Sequence, residues 1–143
     1  MKLNCICSIR AAVLTAVLFG APPAVADVAF IAILEVPEQN FAAFDDLAGR
    51  MVEVSAEDDG LLVYEFARVG TTVYGYERYT NEAAHDRHEA LIAPFLSELT
   101  GLAEFKEIVT LTPLSEGKAD AFAAIGARIG APVAGVAQGQ LDD

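Results

Sequence analysis

The stretch Gly75–Leu91, GYERYTNEAAHDRHEAL, turns from a strand into a helix and carries both histidines of the chain, His85 and His88. Thr72–Thr80 (TVYGYERYT) is rich in Tyr, Val and Thr, as a pleated packed surface favours, and places Val73, Gly75, Glu77 and Tyr79 on one face. Thr80 or Asn81 can cap the helix that follows, and Glu82 complements its N-terminal dipole. At 100° per residue, Ala84, His88, Leu91, Ile92, Phe95 and Leu99 fall within about 60° of His88. His88 is thus central to the apolar stripe. His85 sits at its edge, where a partly solvated position is expected. Pro94 cannot donate to residue 90 and must interrupt or restart the helix, and Gly101 closes it.

Outward from this corner, Leu61–Val69 (LLVYEFARV) joins Thr72–Thr80 through Gly70-Thr71 as a hairpin, with Leu62, Tyr64 and Phe66 on one face. Val28–Val36 (VAFIAILEV) is apolar at eight of nine positions, so a strand covered on both faces is expected there. Pro37–Ser55 reads as a helix with Phe41, Phe44, Leu47 and Met51 facing the sheet, ended by Asp58-Asp59-Gly60. Phe105–Pro113 is a last strand. Lys118–Arg128 forms a weak helix, and Gly130–Asp143 is a Gly/Ala-rich, mobile tail. The order β-α-β-β-α-β predicts a ferredoxin-like α+β domain over 27–117 with an antiparallel sheet. One sheet and two helices cover a single sheet face, and the other face calls for a second copy.

Residues 1–26 read as a cleaved signal peptide. Lys2 and Arg10 precede the apolar run Ala11–Gly20, and Pro22-Pro23 lead to Ala24-Val25-Ala26. Ten apolar residues are half of the ~20 that span a bilayer, so an exported, periplasmic or secreted protein is expected, with no membrane contact after cleavage. Both cysteines, Cys5 and Cys7, fall before that run. The 117 residues from Asp27 onward therefore offer no disulfide, thiolate metal site or cysteine nucleophile. They carry seven basic residues against 21 acidic ones, a net charge of −14, which repels nucleic acid and anionic membranes.

The chain resembles the antibiotic biosynthesis monooxygenase family of the dimeric α/β barrel superfamily, from about Val28 to Pro113. The resemblance is carried by Gly60-Leu61-Leu62-Val63-Tyr64, by Tyr76-Glu77-Arg78-Tyr79, and by Glu82-Ala83-Ala84-His85-Asp86-Arg87-His88. It implies a homodimer packed sheet against sheet into a barrel. It also implies oxidation of small phenols or quinols by dioxygen without metal or flavin, the deprotonated substrate itself passing an electron to dioxygen. The haem-degrading relatives' asparagine, tryptophan and histidine align with Ala32, His88 and Glu98, which disfavours haem degradation. The family's proline after the histidine is displaced to Pro94.

On this reading His88 is the catalytic base or hydrogen-bond partner, since an imidazole titrates near 6.5 and suits proton abstraction from a phenol. It is equally open as a core histidine satisfied by Glu77 or a backbone carbonyl. Glu77 would orient His88, or instead serve a structural ion pair with an arginine. Tyr64, Tyr79, Phe66 and Leu91 would form the substrate wall, or simply core. His85 and His88 at i, i+3 could hold a metal, but with no third ligand tied to them none is assigned. A non-catalytic binding module and an isomerase on the same scaffold stand as the alternative functions.

Overall fold

A computed structural model of the chain describes residues 27–131 and 133; the signal-peptide reading of 1–26 and nearly all of the tail lie outside the described residues. The elements are β1 (Val28–Glu35), α1 (Phe41–Ser55), β2 (Leu61–Val69), β3 (Thr72–Tyr79), α2 (Glu82–Ile92), α3 (Leu96–Leu102), β4 (Glu104–Thr110), α4 (Glu116–Ala124) and β5 (Arg128–Ile129). The sheet order is β2-β3-β1-β4-β5. β1 pairs antiparallel with both β3 and β4, placing Val28 opposite Tyr79 and Ala32 opposite both Gly75 and Ile108. The fold is the expected α+β unit, with one correction. The short β5 runs parallel to β4, so the sheet is mixed rather than antiparallel. The sheet is also open, with β2 and β5 as its edges, so this chain alone does not close a barrel.

Local chemistry explains the corner. Asn81 has extended backbone and its side chain accepts from the Ala84 N–H at 2.9 Å, the N-cap that starts α2. Pro94 stops α2 at Ile92 and sits in a tight 3₁₀ turn, after which α3 resumes. The turn before β2 locks onto the same corner. The Thr80 N–H donates to the Gly60 carbonyl at 2.8 Å, and Arg87 donates to the Asp59 carbonyl at 2.7 Å. Gly60 has φ +90°, and a Cβ there would lie 2.7 Å from Thr80 Oγ1 and 2.8 Å from the Ala84 methyl, so only glycine fits.

The α1 stripe buries Phe44, Leu47 and Met51 against Leu34, Val36 and Val73, forming the larger core with Ile92 and Leu99. A second cluster of Val28, Phe30, Tyr79, Ala84 and Phe122 occupies the other end of the sheet. Phe30, Ala32 and Leu34 point to this helix-covered side. Ile31 and Ile33 point to the opposite face and are only half-buried, alongside exposed Tyr74 and Val69. Two-sided coverage of β1, expected from its composition, is therefore incomplete within one chain.

Candidate functional site

Between sheet and helices lies an apolar cavity of about 370 Å³, a size suited to a small molecule. Its floor comes from β1 and β2, with Phe30, Ala32, Tyr64 and Phe66. Its polar groups are Glu77, His85, His88, Glu89 and Lys118.

His88 is 1 % exposed and lines the cavity. Its Nδ1 lies 3.0 Å from Asp58 Oδ2, a side chain itself buried in the turn between α1 and β2. A carboxylate only accepts, so the ring proton belongs on Nδ1 and Nε2 carries a bare lone pair. That Nε2 is buried and has no partner among the described residues. Burial lowers the His88 pKa, against the opposing pull of Asp58, so the ring is a neutral base at neutral pH. The Tyr64 ring packs edge-on at 4.6 Å and Tyr79 lies at 5.2 Å.

The expected orienting role of Glu77 is corrected by this geometry: Asp58 holds His88, and Glu77 accepts a short hydrogen bond from the Tyr79 hydroxyl. Nor does Glu77 pair with an arginine. It is 9 % exposed and makes no ion pair among the described residues. Burial raises its pKa to about 7, with the Tyr79 hydrogen bond opposing and Glu89 adding to the rise.

A carboxyl whose folded pKa lies above its unfolded value stabilises the fold at low pH and loses that contribution as pH rises through the folded value. Between about 4.5 and 7 the loss reaches about 3 kcal/mol by pH 8. Glu77→Gln, which cannot ionise, is thus expected to be more stable than wild type at pH 8 and to lose that advantage below pH 5. Urea midpoints at the two pH values check this, and an unchanged difference would contradict it.

Tyr64 and Phe66 line the cavity as expected. Tyr79 does not: it is fully buried beneath Glu77, in the second core cluster. Leu91 points away from the cavity and is 36 % exposed, so it is no substrate wall. His85, expected at a solvated edge, is 7 % exposed, because α4 lays Phe122 against it at 5.4 Å and against Phe30 at 5.3 Å. Burial and Lys118 lower the His85 pKa. α4 is fastened by Glu82, which accepts from the Ser115 N–H at 2.6 Å and hydroxyl at 2.7 Å, and by the Lys118–Asp86 ion pair. Asp58, Lys118 and Phe122 are thus site residues that the sequence reading missed.

Among the described residues His85, Asp86 and Glu89 form the group able to hold a metal, their ligand atoms within 4.8 Å of one another. His85 Nδ1 stands 3.6 Å from Asp86, too far for a hydrogen bond, and the Lys118 ammonium already brings positive charge to that carboxylate.

An open ferredoxin-like sheet roofed by helices over an apolar pocket, with one oriented histidine, defines an α+β protein with a cavity of small-molecule size. Residues 28–94 match the model of the antibiotic biosynthesis monooxygenase family. None of the curated proteins matches the sequence. Among solved structures, MupZ from Pseudomonas fluorescens superposes with a TM-score of 0.71 at 21 % identity, covering 78 % of this chain and 94 % of its own. Rv0793 from Mycobacterium tuberculosis gives 0.55 at 23 %, covering 63 % and 97 %. SnoaB, a cofactor-independent oxygenase from Streptomyces nogalater, gives 0.54 at 18 %, covering 63 % and 95 %. At these identities the likeness is one of fold.

Proposed function

We propose that this protein is an exported, homodimeric oxygenase that oxidises a small phenol or quinol with dioxygen and no bound cofactor. The observation that carries the reading is the bare Nε2 of His88, a residue fixed by Asp58 at Nδ1 and lining an apolar cavity. A phenol bound with its hydroxyl at Nε2 gives up that proton to the imidazole, and Asp58 stabilises the resulting cation. The phenolate passes one electron to dioxygen. The radical pair then combines at a ring carbon that bears hydrogen; the peroxide takes the proton held by His88, and loss of that carbon's hydrogen as a proton with cleavage of the O–O bond releases water and leaves a carbonyl. The apolar walls keep water away from the charged intermediates. Oxygen uptake with a panel of phenols and quinols tests this: consumption that follows bound substrate is expected, and binding without consumption by any member would overturn it. The predominance of apolar side chains in the lining favours a second reading, a binding module that holds an aromatic ligand without chemistry, which that latter result would support.

Dimerisation is supported by the half-buried Ile31 and Ile33 and the exposed Tyr74 on the uncovered sheet face. Light scattering at micromolar concentration is expected to give roughly twice the mass of one chain; a single-chain mass would contradict it. Export rests on the 1–26 segment. Among the described residues, no helix is long and apolar enough to cross a membrane. Expression with a periplasmic fractionation is expected to yield protein starting at Asp27, and retention of residues 1–26 in the cytoplasm would contradict it.

A further inference from the structure

The oxygenase reading uses His88 and leaves Glu77 without a task. A buried carboxyl that makes no ion pair among the described residues is unusual, because such a group is costly as an anion. Among the described residues its hydrogen-bond partner is the Tyr79 hydroxyl, donating to Oε2. The same tyrosine links it to the base: its ring lies 5.2 Å from that of His88. Across the sheet Glu77 sits opposite Tyr64, whose ring is 4.6 Å from His88. Both Glu77 and His88 line the one cavity. An acid able to stay protonated and a base able to stay neutral thus share an apolar chamber, the pairing that acid–base catalysis needs.

We propose that the cavity also catalyses proton transfer without oxygen, enolising a ketone whose α-carbon carries an aryl ring, with His88 as base and Glu77 as acid. This rests on the same cavity and base as the oxygenase reading, but it does not need dioxygen. His88 Nε2 takes a proton from the carbon next to the carbonyl. As that C–H bond breaks, the electron pair moves into the new C=C bond, and the carbonyl oxygen takes the Glu77 proton to become an enol. In the return step the enol gives its proton back to Glu77, and the imidazolium delivers its own to carbon. Nothing is oxidised or reduced. A carbonyl conjugated with a neighbouring double bond can take the returned proton at the far carbon, which isomerises it.

The groups around Glu77 support a defined pH range. They are Tyr79 on its own strand, Tyr64 on β2, His85, His88 and Glu89 from α2, and Lys118 from α4. Burial holds both tyrosines protonated, and the Lys118 ammonium is occupied by Asp86. The Glu77 pKa near 7 therefore sets an alkaline limb, and His88, lowered by burial, sets an acid limb below its ordinary value.

The test uses 2-tetralone in D₂O under argon, with proton NMR following loss of its C1 hydrogens. Wild type is expected to exchange them faster than buffer, with activity falling above about pH 7. His88→Gln is expected to fall to the buffer rate. Glu77→Gln, which keeps its size and still accepts from Tyr79, is expected to lose roughly 10²-fold and to lack the alkaline limb. Tyr79→Phe removes a hydrogen bond that favours the Glu77 anion, so its alkaline limb should move to higher pH. A wild-type rate equal to buffer overturns the proposal, as does a Glu77→Gln rate and profile equal to wild type. An alkaline limb unmoved by Tyr79→Phe overturns the assignment of that limb to Glu77. Oxygen uptake in air without exchange under argon would sink this activity while leaving the oxygenase reading intact; exchange without uptake would do the reverse.

Discussion

Replacing His88 with glutamine is expected to lower kcat/KM for any accepted phenol by about 10²–10⁴-fold, the usual contribution of a positioned base. Glutamine fills much of the imidazole's volume and can donate an amide hydrogen to Asp58, so the fold should persist. It has no basic lone pair at the position of Nε2, which is buried and has no partner among the described residues. Binding of the phenol should change far less than turnover, because the cavity walls formed by Tyr64, Phe66 and Phe30 are untouched. Steady-state oxygen uptake paired with calorimetric binding checks both halves. Equal turnover in variant and wild type would remove His88 from the chemistry.

The second large effect is expected at Asp58. Asp58→Asn keeps the size of the side chain and removes the charge that holds the proton on Nδ1. The other tautomer then becomes accessible, with the proton on Nε2 and no base to offer there, and the imidazolium formed during reaction loses its partner. A loss of roughly 10²-fold in kcat is expected. Asp58 also raises the His88 pKa, so its removal should shift the acid limb of kcat/KM to lower pH even as the plateau falls. A purely structural aspartate would lower the plateau, if at all, without moving the limb. The pH–rate profile separates the two.

Most of the fold was legible because it is written locally. The turn chemistry at Asn81, Gly60 and Pro94, and the spacing of Phe44, Leu47 and Met51, each fix an element within a few residues. The histidine stripe named His88 for the same reason. The partner of His88 was not legible. Asp58 lies 30 residues earlier in a turn whose own chemistry explains an aspartate, and only folding brings its carboxylate to Nδ1. Glu77 seemed the natural neighbour because it shares a strand face with Tyr79, yet that same proximity lets Tyr79 take its carboxylate. His85 failed differently. Its burial depends on α4, a short helix with little amphipathic pattern, and Phe122 gives no signal of where it will pack. The helix wheel of α2 also overstated Leu91, which lies within the helix about 60° from His88, at the edge of the stripe, and is exposed.

The chain has two histidines, so ¹⁵N NMR of the imidazole rings resolves the central geometry with few signals, assigned by a His85→Gln variant. At neutral pH the His88 ring is expected to be neutral, protonated at Nδ1 and bare at Nε2, and to remain so below the ordinary histidine pKa of about 6.5. A His88 ring protonated at Nε2, or one that titrates above that value, would contradict the account.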